Sequence, residues 1–313
     1  MSIPRLFDGR LSIPTIASPL FLISQPELVI AQCRAGVVGS FPSLNARPVA
    51  VFEEWLIRLR RELTEKDAPF AVNLIVHKTN PRLDEDLALC VKYEVPVIIT
   101  SLGARADINK AIHGYGGIVF HDVIDNAFAH KAVEKGADGL VAVAAGAGGH
   151  AGTLSPFALI QEIRRWFDGP LALSGAIATG SAIVAAQALG ADLAYIGSAF
   201  IATDEANADE RYKQMITQGS AADIIYSNLF TGIHGNYLEP SIVAAGLDPR
   251  ALETSDPSKM DFAELTNGKK AWRDIWGCGQ GIGSVNEVVP VARLVERLGN
   301  EYRATLARLA NPA

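Results

Sequence analysis

The residues best suited to chemistry gather in one glycine-rich stretch, Ala144-Ala145-Gly146-Ala147-Gly148-Gly149-His150-Ala151-Gly152. It follows the apolar run Leu140-Val141-Ala142-Val143 and precedes Ser155-Pro156, a serine N-cap with proline at the first helical position. It is therefore a loop at the C-terminal end of a strand. Glycines let a backbone lie close against a flat ligand, because no Cβ stands in the way. His150 is the one titratable side chain in the loop. A close-approach surface with one acid/base group suits a bound cofactor plus a proton-handling step. A surface loop with a solvated histidine is the alternative.

Two further turns have a related make-up. Ser174-Gly175-Ala176-Ile177 and Gly197-Ser198-Ala199-Phe200 each follow a short apolar run and combine amides, small side chains and a hydroxyl. As a pair at successive strand ends they favour a phosphate held by backbone N–H groups and a helix N-terminus, although each alone is an ordinary tight turn. Asn73, at the end of the run Phe70-Ala71-Val72-Asn73-Leu74, either offers an amide to a flat heterocycle or caps its strand. His121 ends another strand and is followed by Asp122. They are either a site histidine oriented by its neighbour or a satisfied strand-end pair. Successive strand residues point to opposite faces, so at most one of the two faces the mouth of the fold. His234, between Phe230 and Leu238, is placed to line the substrate side. His77, His113 and His130 receive no role. No His/Cys/Asp/Glu spacing fits a metal, no GxxxxGK[ST] marks an NTPase, and no GxSxG marks a hydrolase.

These turns need elements to hold them. From residue 14 to about 200, short apolar β-branched runs alternate with segments of helical period. Strands are expected at 13–18, 36–39, 70–74, 95–100, 117–121, 138–143, 171–174 and 193–196. Pro48 opens a helix whose Phe52, Trp55, Leu56, Leu59 and Leu63 share one face, and Phe157, Ile160, Ile163 and Phe167 form the buried face of a later one. Asp125 or Asn126 caps the helix ending at Gly136, and Thr179 caps the one ended by Gly190. Eight strands alternating with helices predict a parallel α/β sheet, and eight is the count that closes a (β/α)8 TIM barrel. A doubly wound sheet is disfavoured because no GxGxxG follows the first strand. Gly-Ala-Asp recurs at 136–138 and 190–192, each time entering a strand.

Residues 204–280 carry Asp, Asn and Gly without a strand pattern. They read as a small helical substrate-covering cap inserted after strand eight, leaving residues 1–203 and 281–313 to form the barrel. Ser284-Val285-Asn286-Glu287 has the form of a capping box, but Pro290 moves the regular start of the last helix to about 290. Val291, Leu294, Val295 and Leu298 would pack that helix on the barrel.

The 313 residues are 49 % hydrophobic and 20 % charged, an ordinary composition for a chain with a large core. A net charge of -6, with no basic run longer than Arg58-Leu59-Arg60-Arg61, argues against a nucleic-acid partner. Three cysteines without a CxxC fit free thiols in a reducing compartment. No long apolar run follows Met1-Ser2-Ile3-Pro4-Arg5, and no stretch approaches the ~18 apolar residues of a membrane span. A cytoplasmic protein without a signal peptide is expected.

Taken together, the motifs resemble those of the nitronate monooxygenases, formerly 2-nitropropane dioxygenases. The likeness covers nearly the whole chain in matching order. It rests on Asp138-Gly139-Leu140 leading into Ala147-Gly148-Gly149-His150-Ala151-Gly152, on Ser174-Gly175-Ala176, and on Tyr195-Ile196-Gly197-Ser198-Ala199-Phe200. Val72-Asn73-Leu74 precedes them and Gly277-Cys278-Gly279-Gln280-Gly281 follows.

The resemblance implies an FMN-binding barrel with a small helical substrate domain. It implies that His150 is the active-site histidine beside the flavin. Ser174, Gly175, Ala176, Gly197 and Ser198 would hold the FMN phosphate. Ser18, Asn73, Gly148 and Gly149 would contact the isoalloxazine or ribityl chain, and Gln280 and Gly281 would close the site. The implied reaction is oxidation of an alkyl nitronate with O2 to a carbonyl compound and nitrite. In it His150 is either protonated to hold the anion or neutral to take the α-proton of a nitroalkane. NAD(P)H-dependent quinone reductases and flavin enoyl reductases are related, and a non-catalytic phosphate-ligand protein is a third reading. Three positions depart from the family pattern. Asp122 stands where some members carry lysine, Leu20-Phe21 where many have methionine, and Ala176 where many have a second glycine.

Overall fold

In the computed structural model, which describes residues 3–230, 232–252 and 274–311, the short β-branched runs become parallel strands. They are β1 (Thr15–Ala17), β2 (Gly39–Pro42), β3 (Phe70–Ile75), β4 (Val97–Ser101), β5 (Ile118–Val123) and β6 (Gly139–Val143). The two-residue β7 (Gly149–His150) lies outside this sheet, which continues with β8 (Leu171–Ser174) and β9 (Leu193–Ile196). The order is β1-β9-β8-β6-β5-β4-β3-β2, parallel throughout. Val38 closes the ring. It accepts from Ala17 N (2.8 Å) and donates to Thr15 O (3.1 Å), just before β2 begins pairing with β3. The second strand thus starts three residues later than its apolar pattern suggests, because Val38 bonds backwards to β1 and Gly39–Pro42 bond forwards. The result is a (β/α)8 barrel.

Helices α1 (Pro26–Arg34), α2 (Val49–Glu62), α3 (Leu83–Lys92), α4 (Ala106–His113), α5 (Asn126–Glu134), α6 (Pro156–Arg164) and α7 (Gly180–Leu189) cross between the strands. Alternation splits the core into two layers. Ile16, Ala71, Ile99, Phe120, Val141, Ala172, Leu193 and Tyr195 fill the bore, with Phe7 in the same cluster, while the opposite strand faces pack under the helices. Phe52, Leu56 and Leu59 bury the α2 stripe as expected. Phe157 does not join the α6 stripe: it lies in the first turn, 64 % exposed, and burial begins at Leu159 and Ile160.

The repeated Gly-Ala-Asp has a mechanical explanation. Asp138 accepts the backbone N–H of Val119 (2.7 Å) and Asp192 that of Leu171 (2.9 Å). Each carboxylate thus fastens the start of a strand to its neighbour. Thr179 caps α7 by accepting from Ala182 N, and Gly190 ends it in the left-handed conformation.

After β9 come α8 (Ser198–Ile201) and α9 (Glu210–Gln218). The following stretch departs from the helical expectation. Ile224–Ser227 (β10) and Gly235–Leu238 (β11) form an antiparallel ribbon, followed by α10 (Glu239–Ala244). Ile224-Ile225-Tyr226 is a short β-branched and aromatic run that composition alone hides among polar neighbours. The expected cover also extends into 253–273, outside the described residues. The capping box at Ser284 does not open a helix: 280–284 is a 3-10 turn, and α11 (Val291–Ala310) starts after Pro290. Its Val291, Leu294, Val295 and Leu298 are buried against the barrel. Among the described residues no helix is long and apolar enough to cross a membrane.

Gly180, the first residue of α7, lies against the α11 backbone. A Cβ there would overlap Leu298 O and Tyr302 N, neither of which can swing aside. Overpacking of this kind costs about 1–3 kcal/mol. Gly180→Ala is expected to lower the urea midpoint accordingly, and a variant as stable as the parent would show that the last helix yields at this contact at no cost.

Candidate active site

The mouth of the barrel opens into a cavity of about 1110 Å3. On one wall lies the glycine loop, held from three directions. Gly149 and His150 pair with Asn236 and Gly235, so β7 becomes the third strand of the β10-β11 ribbon. Ala151 N donates to His234 O (3.2 Å), and Asn236 Nδ2 donates to Ala147 O (2.6 Å). From the far end of the chain, Gln280 N donates to Gly146 O (2.9 Å) and Gly279 N to Ser198 Oγ (2.9 Å). Gly148 has to be glycine for this approach, since a Cβ would sit 2.7 Å from Gly279 N. His150 is half-buried at the wall. Burial pushes its pKa from 6.5 down to about 4, so the imidazole is neutral at pH 7.

The barrel floor is polar where the bore meets the cavity. Alternation turns Asn73, Ser101, Asp122 and Ser174 inward, one turn of the pleat above the apolar layer. Asn73 Nδ2 donates to Ile99 O (3.0 Å) and to Ser101 Oγ (2.7 Å), and Ser101 Oγ donates to Asp122 Oδ2 (2.6 Å). Asp122 Oδ1 and the Tyr195 hydroxyl are enclosed without a hydrogen-bond partner among the described residues. Burial raises the Asp122 pKa from 3.8 to about 6, against the lowering pull of Ser101. Of the pair singled out in sequence, Asp122 therefore takes the bore side. His121 shares a 2.6 Å hydrogen bond with Thr100 Oγ1, is buried, and is held down to about 4 by that burial.

Ser18, Asn73, His121, Gly148, Gly149, His150, Ser174, Gly175, Ala176, Gly197, Ser198, His234 and Gly281 all line this one cavity. Gln280 does not; it is exposed, with its Oε1 outside Gly146. The Ala176 amide is taken by Gly146 O (3.3 Å), so this residue shapes the turn instead of offering its N–H. Among the described residues, Leu22, Leu102 and Ala176 are three of the four non-glycine residues at positive φ, and all three line the cavity. Strained backbone of this sort collects at ligand sites.

Sequence reasoning overlooked Ser101, Tyr195 and the aromatic cover. In that cover Tyr226 stacks on His234 (5.0 Å) and Tyr212 on Trp276 (4.7 Å). Counting by twos along the fourth strand from Val97 through Ile99 would have exposed Ser101; nothing local marks the cover. Cys278, buried behind Gly148, has its thiol pushed up to about 12 and offers no thiolate at pH 7. No group of three or more metal-ligating side chains exists among the described residues.

The profile of the nitronate monooxygenase family matches residues 9–301. The chain belongs to the nitronate monooxygenase family. It is 25 % identical to a nitronate monooxygenase of Paraburkholderia phytofirmans, over 95 % of this chain and 94 % of that one. Its fold is similar to that of FabK from Thermotoga maritima (TM-score 0.82, 24 % identity, 99 % of each chain). It is equally similar to the nitroalkane oxidase of Streptomyces ansochromogenes (TM-score 0.82, 24 % identity, 98 % of this chain and all of that one). Members of this family place an oxidoreductase on this barrel; identities near 25 % leave the particular reaction to the site.

The carboxyl of Asp122 gives a stability test with a definite sign. Its folded pKa lies above the unfolded one, so it favours the fold below pH 4 and costs stability as pH rises from 3.8 through about 6. Asp122→Asn is expected to raise unfolding stability at pH 7 by about 1–3 kcal/mol and to have little effect near pH 4. A gain of the same size at both pH values would mean that the carboxyl is not desolvated.

Proposed function

We propose that the chain is an FMN-dependent oxidoreductase that oxidises alkyl nitronates with O2 to a carbonyl compound and nitrite. The observation that carries this reading is a neutral His150 on a glycine wall, facing a cavity bounded by the turns after β8 and β9. The residues present fit a flavin. Gly148 and Gly149 give a surface free of side chains, the Asp122 Oδ1 and Tyr195 hydroxyl oxygens lack partners among the described residues, and the turns at Ser174–Ala176 and Gly197–Ser198 suit a phosphate. Ser18 contributes a hydroxyl beside Gly197 and Asn73 an amide on the floor. When bound, FMN would accept the substrate's electrons and pass them to O2.

The protein's own part is positional and electrostatic. A neutral imidazole has a lone pair for the α-proton of a nitroalkane, so His150 acts here as base, with no standing charge to hold a nitronate. The stacked pairs Tyr226–His234 and Tyr212–Trp276 contribute aromatic surface to the same cavity. Residues 204–280 serve as substrate cover and the remainder as the cofactor barrel. His121, tied to Thr100, supports the wall, while His234 lies on the substrate side through its stack with Tyr226. A second reading, an NAD(P)H-dependent quinone or enoyl reductase, draws support from the volume. About 1110 Å3 holds a flavin and a second ligand larger than a small nitronate.

Flavin absorbance of the purified, anaerobic protein separates the two. Bleaching by an alkyl nitronate and indifference to NADH are expected, whereas bleaching by NADH alone would move the chain to the reductases and absence of flavin would defeat both. His150→Ala is expected to lower kcat/KM for a neutral nitroalkane by about 10²–10⁴-fold. The parent's activity should hold from pH 8 down to about 5 and fall as pH approaches the His150 pKa of about 4.

A further inference from the structure

The floor of the cavity carries a carboxyl group whose hydrogen bonding is only half met. Asn73 donates into Ser101 Oγ, which leaves the Ser101 hydrogen one direction, towards Asp122 Oδ2. Oδ2 is therefore already an acceptor, and a proton on this carboxyl belongs on Oδ1. That oxygen is enclosed and has no donor among the described residues. From the elements packed around it, β3 brings Asn73, β4 brings Ser101, β6 brings Val141 and β9 brings Tyr195. None is cationic. His121, its neighbour in sequence, is bonded to Thr100. His150 and Lys131 share the cavity wall, yet burial and the Ser101 hydrogen bond are the influences that set the ionisation of Asp122. The side chain's remaining contact with solvent is through the cavity, where it forms part of the lining.

A flat ring laid on this floor removes that solvent. An ionised Asp122 would then keep one hydrogen-bond donor and no counter-charge in a low-dielectric enclosure. Neutralising it costs one proton from solution and leaves the Ser101 bond intact. We propose that Asp122 couples flavin occupancy to proton uptake: the cavity seats FMN over a neutral carboxylic acid, and the chain holds the cofactor more tightly as pH falls. This rests on the flavin reading above.

The test is the FMN dissociation constant of flavin-stripped, full-length protein, read by flavin fluorescence from pH 5.5 to 8 for the parent and for Asp122→Asn. The FMN phosphate itself titrates near pH 6, and His150 is common to both proteins. Both effects cancel in the ratio of parent to variant constants. That ratio is expected to rise by nearly two orders of magnitude over the range, almost all of it above pH 6, following the linkage of one proton to binding. A flat ratio overturns the proposal while leaving the flavin reading standing. A falling ratio overturns it too, since it would mean that a flavin N–H is donated to the carboxylate. No flavin binding by either protein at any pH overturns both. Calorimetry of riboflavin, which has no phosphate, needs no variant: titrated into the parent at pH 7 in two buffers of different ionisation enthalpy, it should show net proton uptake. Zero uptake or release counts against the proposal.

Discussion

The backbone pairing of Gly149 and His150 with Asn236 and Gly235 is the constraint on which the site depends. A loop with four glycines has little conformational preference of its own and a large entropy to lose on ordering. Two ladder positions, the Asn236 bond to Ala147 O, and the Gln280 amide on Gly146 O fix it from the cover and from the approach to the last helix. Permissive residues give the loop its blank surface, and borrowed hydrogen bonds give it a single shape. The catalytic proposal for His150 follows from that combination, because a histidine on a mobile loop would stay solvated and titrate near 6.5.

One physical effect, loss of water, sets the ionisation of the groups around the mouth. It keeps His121 and His150 neutral by lowering their pKa values, and it pulls Asp122 the opposite way. All three shifts oppose charge, and no compensating cation stands beside Asp122 among the described residues. A region so arranged is suited to a neutral, flat, polarisable ligand, whose own electronics then dominate the local field.

Much of the barrel was legible because buried parallel strands write themselves as short β-branched runs, and because Gly-Ala-Asp and Thr179 punctuate the turns. The glycine loop and the turns at Ser174 and Gly197 were legible for a related reason: close approach demands small residues at fixed places. What escaped is what depends on distant partners. Ile224–Ser227 forms a strand because Gly235–Leu238 lies beside it, and the exposure of Gln280 is set by packing of Gly281 on Ala176. Val38 serves β1 while its neighbours serve β3, a stagger that hydrophobic pattern cannot register. The facing of Asp122 was decidable in principle by strict alternation, but only once the true end of β5, at Val123, was known.

The ribbon that orders the histidine loop is made far downstream of it, after the eighth barrel strand has been completed. During synthesis the barrel strands can therefore pair while the glycine loop still lacks its partner, since non-local contacts form only when the later segment has emerged. A nascent chain in that condition has the polar barrel floor of Asn73, Ser101 and Asp122 but not yet the ordered wall that carries His150. Under the flavin reading proposed above, the histidine wall would be completed last, with the cover, and a half-made chain would offer a seat without the group that handles the proton.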